Sequence, residues 1–121
     1  MKLRIFDDSV RLRLTRSEVA EVARGTPVEA STRFPGGEVF RYVLVVADVP
    51  EVTARMAAGR IEVTLPRAAA IEWATSENVS IRNAVSGASG TFEVLVEKDF
   101  ACLDPREGED AADLYPNPKA R

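Results

Sequence analysis

The chain has 121 residues, 45% apolar and 29% charged, with a net charge of −3 and a pI near 5.1. These values fit one globular domain able to bury a core without metal or disulfide, and the acidic balance argues against a strongly basic nucleic-acid binder. The absence of histidine removes the commonest general base and every His-containing zinc site.

Leu3–Phe6 predicts a short strand, and Asp7-Asp8-Ser9 a turn. Val10, Leu12 and Leu14 then alternate with Arg11 and Arg13, the period of a half-buried strand. Thr15-Arg16-Ser17-Glu18 has capping-box spacing, with Val19, Val22 and Ala23 as the apolar helix face and Gly25 as the stop. Val28–Thr32 predicts a strand, Phe34-Pro35-Gly36-Gly37 a turn, and Val39–Ala47 a long strand.

After Val49-Pro50-Glu51 the order recurs. Thr53–Met56 leads through Ala57-Ala58-Gly59 into a strand where Ile61, Val63 and Leu65 alternate with Glu62 and Thr64. Pro66 opens a helix whose face is Ala70, Ile71, Trp73 and Ala74, with Trp73 as core anchor. Val79–Arg82 predicts a strand, Asn83–Gly90 a flexible turn, and Phe92–Lys98 the last strand.

Shifted by 51 positions, Met1–Asp48 matches Val52–Asp99 without a gap at 11 of 48 positions. The identities include Arg4/Arg55, Leu14/Leu65, Arg16/Arg67, Val28/Val79, Val43/Val94, Leu44/Leu95, Val45/Val96 and Asp48/Asp99. The expected fold is therefore α+β, mostly β. It is a tandem duplication of a ββαββ unit (1–49 and 52–100) forming one pseudo-two-fold sheet or barrel domain, with an acidic tail over 101–121. Phe100, Cys102, Leu103, Leu114 and Tyr115 give that tail apolar handles for packing partly across the body.

Gly59-Arg60-Ile61-Glu62-Val63-Thr64-Leu65-Pro66-Arg67, followed by a helix and Val79-Ser80-Ile81, resembles the swapped-hairpin unit of AbrB-type transcription regulators and antitoxins. The resemblance implies two interlocked units, here within one chain, and DNA binding through basic residues at strand and loop edges. The sequence departs from that pattern. Outward Arg11 and Arg13 face no counterparts, because Glu62 and Thr64 stand there, and the halves sum to +1 and −1. The whole chain also resembles a family of small uncharacterised bacterial proteins, which supplies no activity.

Arg16 and Arg67 open both helices, where a cation opposes the helix dipole. Either an anion sits there twice, or Asp48 and Asp99 neutralise them; the ion pair is the simpler expectation. The candidate anion- or nucleic-acid-binding set is Arg4, Arg11, Arg13, Arg16 and Arg67. Arg33 adds to the basic first half. Lone Cys102 suits a reducing cytoplasm, and an inert buried thiol is its plain interpretation. Asp104, Glu107, Glu109, Asp110 and Asp113 lack the spacing of a calcium loop, and no phosphate loop or nucleophile elbow occurs. No apolar run approaches the roughly 18 residues of a membrane span. The expectation is a cytoplasmic, non-enzymatic binding or interaction protein without catalytic residues, metal or cofactor. It would contact a protein partner or a second copy through the groove between repeats or the sheet edges. An AbrB-like DNA-binding regulator is the alternative.

Overall fold

A computed structural model describes residues 1–100 together with Asp113 and Tyr115. In chain order the elements are β1 (Lys2–Ile5), β2 (Ser9–Leu14), α1 (Arg16–Ala23), β3 (Val28–Arg33) and β4 (Val39–Ala47). There follow β5 (Thr53–Ala57), β6 (Arg60–Pro66), α2 (Arg67–Thr75), β7 (Ser80–Gly87) and β8 (Gly90–Lys98). The fold is α+β and mostly β. The expectations for Cys102 and for the acidic run at 104–110 lie outside the described residues.

The strands form two four-stranded sheets, β1-β2-β8-β7 and β3-β4-β6-β5. Each sheet joins two antiparallel hairpins through a central parallel pair, β2 with β8 in the first sheet and β4 with β6 in the second. One hairpin of each sheet comes from the first half of the chain and one from the second. Alternation decides which face is buried. Val10, Leu12, Leu14, Val94 and Val96 of the first sheet share one core with Leu44, Val46, Ile61, Val63 and Leu65 of the second. Val19 and Val22 of α1, with Ala70 and Trp73 of α2, close that core.

The local chemistry at the helix starts explains why each helix begins where it does. Thr15 accepts a hydrogen bond from the Glu18 amide, and Glu18 Oε1 accepts one from Thr15 N at 2.9 Å. Glu18 Oε2 also holds the Met1 ammonium at 2.6 Å. Pro66 precedes α2 without a side-chain cap; its fixed φ suits the entry instead. Gly25 ends α1 at φ +75°, and a β-carbon there would lie 3.0 Å from Arg67 Nη1.

Two sequence expectations need correction. Asn83–Gly90 is not a flexible turn. Asn83 to Gly87 continue β7, paired with Val94 to Gly90 of β8, and only Ala88 and Ser89 turn. Polar composition suggested a loop, but cross-strand pairing with a buried neighbour strand outweighs weak strand propensity.

The ungapped match is also out of phase in its second part. It holds through the helices, since Val19 and Val22 correspond to buried Ala70 and Trp73. It fails in the strands that follow. Tyr42 pairs with Ile61 as Val94 pairs with Val10, so Val94 corresponds to Tyr42 and not to Val43. Leu44 is buried in the core, whereas Leu95 points outward across from Arg11. Val28 is buried while Val79 is exposed, and Ile81 takes the matching place beside Val96. A one-residue slip in a strand moves every side chain to the other face.

Candidate functional site

The outer face of the first sheet carries a row of directly paired residues. Arg4 of β1 faces Arg11 of β2, Arg11 faces Leu95 of β8, and Leu95 faces Arg82 of β7. The corresponding row of the second sheet is Arg55, Glu62, Val43 and Glu29. There Arg55 Nε stands 3.5 Å from Glu62. The charged members of the row are thus mixed in sign in the second sheet and all cationic in the first. Like charges directly opposite destabilise a sheet.

Neighbouring acids offset only part of this excess. Glu97 receives Arg13 Nε at 2.7 Å and Arg11 Nε at 3.5 Å, and Asp99 receives Lys2 Nζ at 3.1 Å. Asp99 Oδ2 makes that ionic contact without a directional hydrogen bond. Arg4 and Arg82 form no ion pair among the described residues. Together with Arg11, Phe6, Glu93 and Leu95 they line a depression of about 210 Å³.

A second concavity opens beside it, of about 330 Å³ and mainly apolar. Ile5, Val10, Ala54, Met56, Ile61 and Phe92 line it, with Arg55 at the rim. It lies where the β1–β2 hairpin of one sheet approaches the β5–β6 hairpin of the other. Ile5 is 59% exposed and Met56 70%. Ser9 and Val10 belong to both concavities. The basic depression and the apolar groove thus adjoin at the start of β2, where Val10 itself is buried in the core.

The five arginines expected as a set divide between two places. Arg4, Arg11 and Arg13 share the outer face of the first sheet. Arg16 and Arg67 stand at the helix starts, which β2 and β6 reach only after leaving the groove. Arg67 Nε meets Asp48 Oδ1 at 2.9 Å. Arg16 instead lies over the Tyr115 ring, 5.9 Å from its centroid. The phase shift explains the difference: the position matching Asp48 holds Phe100, and Asp99 is drawn to Lys2.

Sequence reasoning missed Arg82 and the groove. Ile81 and Val85 at alternating positions signalled that Arg82 points outward. Its meeting with Arg4 and Arg11 depends on the long-range pairing of β2 with β8. Ile5 and Met56 did stand opposite each other in the ungapped match, and both line the groove.

One buried cation lies at the helix end. Lys98, 6% exposed, donates to the Ser76 carbonyl at 2.7 Å and packs near the rings of Trp73 and Tyr115. Burial pulls its ammonium below the usual lysine range, against the opposing effect of Glu77 and Glu72. Among the described residues, no three acidic or thiol side chains converge as a metal site would require.

The profile of one protein family matches residues 1–119, nearly the whole chain. The chain belongs to DUF7009, a family of unknown function. No curated protein and no solved structure matches it.

Proposed function

We propose that the protein is a non-enzymatic binding protein, built by tandem duplication and hairpin exchange, whose ligand is an amphipathic anion. The observation that carries this is the row of Arg4, Arg11 and Arg82 beside the apolar groove. The acidic group of the ligand sits on the guanidiniums, which match carboxylate or sulfate in forked hydrogen bonds. Its apolar part passes Ser9 into the groove. A reducing cytoplasm is the compartment in this proposal, consistent with a lone cysteine.

Titration calorimetry with octyl sulfate tests it. Saturable binding is expected, weakened by Arg4→Gln with Arg82→Gln and by Met56→Asp. Lengthening the alkyl chain by one methylene should tighten binding about fourfold, since burying a methylene contributes roughly 0.8 kcal/mol. Octanol and sulfate alone should bind far more weakly. No binding of octyl sulfate, or binding indifferent to all three substitutions, would defeat the proposal.

A DNA-binding regulator of AbrB type is the second reading, favoured by the exchange of hairpins between halves and by Arg13 beside the arginine row. It requires low-salt duplex binding that falls steeply with salt. It also requires Met56→Asp to leave that binding unchanged.

A further inference from the structure

At the end of the molecule away from the groove, two residues near the C-terminus dock onto the body. Asp113 Oδ1 accepts from Ser17 N at 3.2 Å and from Ser17 Oγ at 2.8 Å, in the first turn of α1. Tyr115 N donates to the Asp99 carbonyl at 2.8 Å, continuing past β8 as a parallel bridge to Phe100. The Tyr115 ring packs on Phe100 at 5.6 Å between centroids. Arg16 lies 5.9 Å from that ring and Lys98 Nζ 5.7 Å.

Each contact reads one feature of a short peptide. The α1 amide and Ser17 hydroxyl read a carboxylate, which a helix N-terminus favours. The Asp99 carbonyl reads an extended backbone. Arg16, Lys98 and Phe100 read an aromatic ring two residues later, through its π face and edge. The receiving side chains come from α1 and from the end of β8, so the folded body supplies the whole surface.

We propose that this surface is a docking site for peptides of the pattern acid–any residue–aromatic, occupied in cis by the chain's own Asp113 and Tyr115. A peptide of the same pattern binds there in trans once the internal copy is displaced. The proposal is independent of the anion site, which lies at the opposite end of β2. Asp113 is held at the surface by hydrogen bonds from Ser17 and Tyr115 is only half-buried against the rim of the core, so both leave without unfolding it.

The probe is a fluorescein-labelled peptide of residues 112–118, Ala-Asp-Leu-Tyr-Pro-Asn-Pro, read by fluorescence polarisation. The host is the full chain carrying Asp113→Lys and Tyr115→Ala, so that its own segment no longer competes. Saturable binding to this variant is expected. Binding to the unaltered chain should be at least roughly tenfold weaker, because a tethered copy acts at millimolar effective concentration. Replacing Tyr by Ala in the peptide, or Arg16→Glu in the host, should abolish binding. Equal binding to both proteins, no binding to the variant, or indifference to Arg16→Glu would overturn the proposal. Hydrogen exchange in the unaltered chain asks the same question without a variant. The Tyr115 amide should open at least roughly a hundredfold more readily than those of Leu12 and Val63. Equal protection would make the contact part of the core and would also overturn it.

Discussion

Arg67 and Arg16 stand at matching helix starts, and each solves the same electrostatic problem with a different neighbour. A guanidinium in the first turn opposes the helix dipole by roughly 0.3–1 kcal/mol, so a partner that accepts positive charge is favoured. Arg67 finds Asp48, and Arg16 finds the face of Tyr115. The docking of Asp113 is pH-dependent for a related reason. Hydrogen bonds from Ser17 hold its carboxyl below the usual value of 3.8. A depressed carboxylate contributes fully above its ordinary pKa, and the contribution is lost as pH falls through the depressed one. The Ser17 amide resonance should therefore titrate with a midpoint below 3.8; a midpoint at or above it would count against the contact. Trp73 tests the core itself. It is buried, and its Nε1 donates to the Val79 carbonyl at 3.0 Å. Trp73→Ala leaves a cavity, while the Val79 carbonyl keeps its bond from the Lys98 amide at 2.9 Å, and urea denaturation should show a loss of about 3–5 kcal/mol.

The two helix starts differ in how firmly they are fixed. The capping box of Thr15 and Glu18 satisfies the amides of both residues at the start of α1, and Glu18 also receives the Met1 ammonium. Thr15→Ala should cost about 1 kcal/mol in chemical denaturation, with no change in the octyl sulfate titration. α2 begins on Pro66 and lacks a side-chain cap, so it depends more on Trp73 and Ala70. Strand β7 shows how an element can be under-read. Its second half, Asn83 to Gly87, has the composition of a loop, yet each residue is paired in register with β8. The helices match at a spacing of 51, as Val19 with Ala70, whereas Val28 and Ile81 hold matching places 53 apart, and this extra length shifts the later strands out of the ungapped match. Length differences in loops cost little free energy, so they accumulate where packing is not affected.

Each sheet draws one hairpin from either half of the chain, which makes the two halves interdependent. Residues 1–49 contain β1–β2 and β3–β4, which lie in different sheets and do not pair with each other. Each hairpin needs the central parallel pairing to the other half to complete its sheet. Neither half should therefore fold alone. Separate chains of 1–49 and 50–121 are expected to give disordered circular dichroism spectra and to regain strand signal when mixed. A folded isolated half would show that the parallel pairs are dispensable.

The element order, the buried faces of β2 and β6, the capping box and the anchor Trp73 are all legible in the order of residues. Those follow from local periodicity and hydrogen bonding, which short stretches of chain encode directly. The basic excess of Arg4, Arg11 and Arg13 is legible there too. That Arg82 joins Arg4 and Arg11 is a consequence of long-range assembly, because residues distant in the chain meet there through the β2–β8 pairing. The same holds for the groove between Ile5 and Met56, which exists only where two hairpins from different sheets approach. The phase of β4 against β8 was likewise beyond the sequence. Both strands are apolar on consecutive residues, Val43-Leu44-Val45 and Val94-Leu95-Val96, so alternation is weak and register is set by the neighbouring strand.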